Sequence, residues 1–301
     1  MNLSRGIRIF IVCRAASDAY RDLAYNGGIP DPHFIKRLQV NHVSAVPGAK
    51  REDMIAEMER YPFADAPLWL DKKADISRIR IPVYCVASYS NTLHTMGTFR
   101  QWRKISITDK WLQIHNTQEW PDYYSDAGQE DRQKFFDRYL KGIDNGREEI
   151  PHVCYSLLDM EGGDQLNLPA ETFGDGKNVT YTKFYLDGKF RQLKRDVPEE
   201  GFAAKYDTRG LPGRISFMVT FDEETNLVGY PKLYLYDVVM SPIGMAFHKG
   251  ESIRVIISAK EEYGNGMMPG TPGCIPENRG WQVIHTGVDK ASYLQLPVLK
   301  L

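Results

Sequence analysis

These 301 residues contain no Gly-x-Ser-x-Gly elbow, no Gly-x-x-x-x-Gly-Lys-Ser/Thr loop and no His-Glu-x-x-His. The first absence removes the strained turn that exposes a hydrolase serine, the second a phosphate cradle, the third a zinc-protease helix. Cysteine is scarce. Cys13, Cys85, Cys154 and Cys274 are scattered without Cys-x-x-Cys or His-paired spacing, which argues against a zinc site and a disulfide framework. No cofactor or metal is expected. Thirty-eight basic residues against thirty-nine acidic ones leave a net charge of -1, so neither nucleic acid nor an anionic membrane is expected as a partner. Near the N-terminus the apolar run GIRIFIVC is too short to span a bilayer and carries Arg8. It also lacks the long uninterrupted core of a signal peptide, although RAAS follows at 14–17. Its β-branched Ile7, Ile9, Ile11 and Val12 read as a buried strand, and the expected location is the cytoplasm.

With 42% hydrophobic and 26% charged residues, the composition is that of a globular protein, long enough for two mid-sized domains. The strand at 5–13 leads into a turn marked by Gly27, Gly28 and Pro30. Ile55 and Met58 in KREDMIAEMER predict a short surface helix over 50–60. IPVYCVAS, 81–88, is nearly all apolar, as a strand buried on both faces of a parallel sheet is. Met96, Phe99, Trp102 and Ile105 make a helical stripe, WLQIH at 111–115 a third strand, and 130–142 a helix stopped by Gly142. This alternation predicts an α/β layer over 1–150. After about 150, short β-branched and aromatic segments (VCYSLLDM, VTYTKFYLDG, RISFMVTFD, PKLYLYDVVM, ESIRVIISAK, WQVIHTG) predict an all-β sandwich over 151–301.

In an open α/β sheet the functional side chains gather at the carboxyl ends of the strands. SYSNTLHT and HNTQEWPD stand at two such ends. His115 is a candidate general base; the bland alternative is an imidazole that hydrogen-bonds backbone at a strand terminus. Glu119 and Asp122 are placed to orient it or to act themselves, unless they cap a helix or sit in a solvated turn. Trp120, Tyr123 and Tyr124 would line a pocket or pack a core. His94 reads as packing or a pocket wall. Asn91 has the chain position of a triad acid but is an amide, which cannot stabilise an imidazolium as a carboxylate does. Cys85 is mid-strand and inert.

SDAYRDLAYNGGIPD, ASYSNTLHTMGTFRQWRKI, KWLQIHNTQEWPDYYS, FFDRYLKGIDNG and HKGESIRVIIS with VIHTG, in that order along almost the whole chain, resemble the X-Pro dipeptidyl-peptidase and cocaine-esterase-like (CocE/NonD) serine hydrolases. The resemblance implies α/β plus all-β architecture: a partial α/β-hydrolase domain with a helical cap segment, then a jelly-roll β-sandwich. It implies cleavage of small-molecule esters or amides, or of peptides, by a Ser, Asp, His triad. The family serine lies in an elbow just upstream of the strand that GIRIFIVC resembles, so it would fall before Met1. The family acid lands on Asn91. The family histidine lands on His115 when strand ends are matched and on Glu119 when the turn is matched without gaps.

A second departure lies in the sandwich. Where the family has several strands between the parts resembling FDEETNLVGYPKLYLY and SPIGMAFHKGESIRV, this chain has only DVVM, 237–240. The expectation is a family member trimmed at its front and in its second domain, inactive as written. Sheet edges left open would suit a homo-oligomer. The rival expectations are a non-catalytic binding module and an incomplete gene product.

Overall fold

The computed structural model describes residues 10–13, 16–26, 28–41, 52–91, 93–235, 238–258 and 280–300. Of the N-terminal strand foreseen over 5–13, residues 5–9 lie outside these; the remainder forms β1, Phe10–Cys13. Two short strands, β2 (Tyr25–Asn26) and β3 (Ile29–Pro30), make a small antiparallel hairpin at the foreseen turn, where Gly28 takes a φ of 85°. Then come three helices, α1 (Pro32–Asn41), α2 (Met54–Arg60) and α3 (Pro67–Asp71). Asp53 starts α2 by accepting hydrogen bonds from Ile55 N and Ala56 N. Trp69, Phe34, Ile35 and Met58 bury together in this helical crossover, with the Tyr20 and Tyr25 rings stacked 4.3 Å apart beside them. Such burial contributes about 2 kcal/mol per large side chain, which is what holds so short a set of helices in place.

The chain then enters β4 (Val83–Ser88), α4 (Thr95–Lys104), β5 (Lys110–His115), α5 (Glu119–Tyr124) and α6 (Asp126–Lys141). Next come β6 (Val153–Leu157) and β7 (Gln165–Ala170). The first sheet runs β1-β4-β5-β6-β7, parallel except for β7. β4 is buried at every position. Its alternate residues explain why: Val83, Cys85 and Ala87 join Phe99 and Trp102 of α4 on one face, while Tyr84 and Val86 join Phe135 of α6 on the other. Gly142 ends α6 in the left-handed region (φ 71°), its N–H returning to Arg138 O at 3.1 Å. The textural change near 150 does not coincide with the edge of this sheet: Val153 pairs with Leu112 in parallel register.

The remaining strands are β8 (Val179–Asp187), β9 (Gln192–Lys194), β10 (Phe202–Asp207), β11 (Arg214–Thr220) and β12 (Thr225–Gly229). After them come β13 (Lys232–Tyr234), β14 (Val238–Val239), β15 (Ile243–Phe247), β16 (Ser252–Ser258), β17 (Trp281–Thr286) and β18 (Tyr293–Leu299). They form a largely antiparallel sheet, β14-β13-β18-β8-β9-β11-β16, with β12 joined to β15 and β18, and a separate β10-β17 pair. At DVVM, Asp237 lies outside the described residues; Val238–Val239 folds back on Lys232–Leu233, and β15 pairs with β12. The two sheets are joined directly. Leu158, just past β6, donates to Gly244 O and accepts from Ala246 N, and Phe173, Val228 and Tyr230 pack into the core under β4 and α4. The protein is a mixed α/β molecule whose parallel strands present their carboxyl ends at one edge.

Candidate active site

Two strand ends and the turns that follow them build one small pocket. β4 and β5 run in parallel register, Ser88 beside His115. Beyond Ser88 the chain turns sharply because Asn91 Oδ1 accepts the N–H groups of Leu93 and His94, each at 2.9 Å. Thr95 Oγ1 secures the same turn by donating to the carbonyls of Ser88 and Asn91. With the amide oxygen committed to backbone, the Asn91 amide nitrogen faces away from the turn.

Beyond His115 a short loop ends in Gln118, which caps α5 by accepting from Trp120 N at 2.9 Å. Glu119 is therefore the first residue of α5, and the helix carries it back over the strand ends. Its side chain is 1% exposed and accepts a hydrogen bond from Asn91 Nδ2. Asn91 itself is 1% exposed. His94 Nδ1 lies 3.1 Å from the same Glu119 oxygen and 3.3 Å from Asn91 Nδ2. Ser88, Asn91, His94, Thr98, His115 and Glu119 all line the pocket.

The structure thus brings Asn91, Glu119 and His94 together. His115, the sequence-based candidate for the base, is also buried at this end, with Nδ1 3.2 Å from Thr117 Oγ1 and Nε2 3.7 Å from Asp122 Oδ2. Ser88 Oγ donates to Thr117 O at 2.5 Å, so the two loops are also bound to each other through backbone. Trp120 and Tyr124 are half to two-thirds exposed and stack with ring centroids 6.2 Å apart, on the surface of α5 rather than in a core. His94, for which the sequence allows packing or a pocket wall, lines the pocket beside a carboxylate partner. Its spacing of three from Asn91 was the available signal.

Asn91 and Glu119 are chemically matched. A carboxylate at 91 would face the Glu119 carboxylate, and one of the two would have to hold a proton. The amide donates instead. Among the described residues no cluster of His, Cys, Asp and Glu has the arrangement of a metal site.

Two crystal structures of SACOL2612, a CocE/NonD family hydrolase from Staphylococcus aureus, each superpose on this chain with a TM-score of 0.87 at 24% sequence identity. They cover 97% and 98% of this chain, which spans 68% and 67% of theirs. The chain has the CocE/NonD hydrolase fold. No family sequence model matches it, and no curated protein matches it in sequence. Within that fold, the pocket stands where open α/β sheets place ligands, at the carboxyl ends of neighbouring parallel strands. No helix among the described residues is long and apolar enough to cross a membrane.

Proposed function

We propose that this chain carries the acid–base side of an acyl-hydrolase site of the CocE/NonD type, directed at ester or amide bonds of small molecules or peptides. The observation that carries the reading is the buried hydrogen bond from Asn91 to Glu119 across the ends of two adjacent parallel strands. Those are the positions on which the resemblance lays the triad acid and, by the gap-free match, the triad histidine. Glu119 then takes the place opposite Asn91, and His115 holds the end of β5 through Thr117 and Asp122. In this reading 1–150 is an α/β-hydrolase part with α1–α3 as its helical cap segment. Residues 151–301 are a shortened jelly-roll sandwich whose β6 and β7 extend the first sheet. The location is cytoplasmic, and open strand edges favour a homo-oligomer.

Acyl transfer also needs a nucleophile and an oxyanion hole. The 301 residues hold no serine in an elbow, so the chain by itself hydrolyses no ester. The purified 301-residue protein is expected to show no turnover of p-nitrophenyl acetate above buffer and no covalent label from a fluorophosphonate. Turnover with stoichiometric labelling, lost in His115→Ala and kept in Glu119→Gln, would overturn both the inactivity and the choice of Glu119. The stacked, exposed Trp120 and Tyr124 beside the pocket favour a second reading, a module that binds a sugar or peptide without cleaving it. Binding isotherms with oligosaccharides and proline-containing peptides, lost in Trp120→Ala, would support that one.

A further inference from the structure

One imidazole at the pocket has the setting of a proton acceptor, and it does not come from β5. Glu119 is sealed in at 1% exposure, while the His94 side chain is a quarter exposed and the two meet through Nδ1 and Oε2 at 3.1 Å. Two bare lone pairs at that distance repel, so a proton lies between them. With the carboxylate ionised, that proton is on Nδ1, and Nε2 is the basic nitrogen. Among the described residues Nε2 of His94 accepts no hydrogen bond, and the ring forms part of the pocket wall. A buried carboxylate that fixes Nδ1–H on an imidazole lining a pocket is the relation of acid to base in a nucleophile-activating dyad. Here the strands have exchanged parts: the histidine follows β4 and the carboxylate follows β5.

Resting on the hydrolase reading, we propose that His94 is the general base of this site, held in its Nδ1–H form by Glu119, which Asn91 holds in turn. A serine hydroxyl, the nucleophile of the hydrolase reading, gives its proton to Nε2 as its oxygen bonds to the acyl carbon. The imidazolium returns that proton to the leaving oxygen or nitrogen as the scissile bond breaks. Glu119 stays ionised throughout and stabilises the cation. Asn91 is a positioning residue: its amide donates to the same Glu119 oxygen that His94 Nδ1 approaches, and so fixes where that oxygen stands.

Long-range proton–nitrogen NMR of the full 301-residue chain at about pH 8, where an ordinary imidazole is neutral, reads the tautomer without any turnover. The expected result is Nδ1–H for His94 in the wild type, with reversion to the Nε2–H form that free imidazole prefers in Glu119→Ala. In Glu119→Gln the side-chain oxygen still accepts from Nδ1, so the tautomer persists while the charge is gone. Transfer of the carbethoxy group of diethyl pyrocarbonate to Nε2, with ethyl carbonate leaving, is then slowed by about threefold or more at His94. Nε2–H in the wild type, or Nδ1–H unchanged in a folded Glu119→Ala, overturns the proposal; if neither variant folds, the wild-type tautomer alone decides. Ester turnover by the 301-residue chain would sink the inactivity and leave this tautomer standing, whereas a wild-type Nε2–H would remove His94 and leave the parent reading intact.

Discussion

The flanking face and the carboxyl ends of β4 and β5 both bury charge, and they treat it differently. Among the rings packed against α6, Arg147 is 1% exposed, its Nη1 2.6 Å from Asp131 Oδ1. Its guanidinium carbon lies 4.4 Å from the Tyr84 ring centre, 5.3 Å from that of Phe135 and 5.5 Å from that of Trp111. Tyr84 donates to the other Asp131 oxygen, and burial, followed by that carboxylate, pushes the phenol well above its usual range. This cage is filled by the chain's own cation. At the carboxyl ends, Asn91 and His94 also meet a buried carboxylate, that of Glu119, but the cluster borders a pocket and the imidazole is part of its wall. The first charge is enclosed by its own chain and serves stability; the second, the Glu119 carboxylate, is held by an amide and a pocket-lining imidazole.

The largest effect is expected at the enclosed cluster. Arg147→Ala leaves the Asp131 carboxylate beside a buried phenol and empties the space between three rings. Asp131 is a third exposed, so water recovers part of the charge. The expected loss is about 3 kcal/mol, read from the urea midpoint at constant slope. A loss under about 1 kcal/mol would mean the cage is not a stability element. Asn91→Asp is the matching test at the pocket. Two carboxylates then share one buried site, one has its folded pKa raised above the unfolded value, and the folded state binds the extra proton. The expected cost is about 2 kcal/mol at neutral pH, recovered as pH falls. Full stability at pH 7 would show that Glu119 does not stand there as an ion, and would remove the ground for Nδ1–H on His94.

The frame of the first sheet was legible, because IPVYCVAS is nearly all apolar, as a strand covered on both faces is, and VYCVAS is buried at every position. The α6 terminus was legible from Gly142, whose left-handed backbone suits glycine. β6 was harder. VCYSL fits either sheet by composition, and its place beside β5 depends on a parallel pairing that no local pattern encodes. At the site, Asn91 and Glu119 were each visible as positions, but their contact was not. It depends on α5 starting at Glu119, and the Trp-Pro-Asp sequence there reads as a turn. Pro121 is tolerated because it sits in the first turn of the helix, where its missing N–H has no intrahelical acceptor to lose. Arg147 was missed for a plainer reason: its rings come from β4, β5 and α6, and no spacing along the chain announces a cage assembled from three elements.

A third cluster, at the join of the two sheets, lies nearer the surface than the other two, and its charges are worth less. His248, just past β15, directs Nδ1 at Glu224 (2.9 Å) and Nε2 at Asp159 (3.2 Å) in the turn after β6. Its N–H is held by Glu251, the N–H of Lys249 by Glu224, and that of Asp159 by Asp164. The hydrogen bonds to Asp159 and then Glu224 raise the imidazole's pKa. Backbone N–H donors and the imidazole lower those of the two carboxylates, Glu161 N–H leading for Asp159 and Lys249 N–H for Glu224. A raised histidine contributes stability that is complete below its unfolded pKa and disappears as pH rises through the folded one; the lowered carboxylates contribute stability that disappears as pH falls through theirs. The clasp therefore works in the window between. His248→Gln should lower the urea midpoint more at about pH 6 than at about pH 9. An equal drop at both would mean that the ring holds the sheets by packing alone, with no part played by its charge.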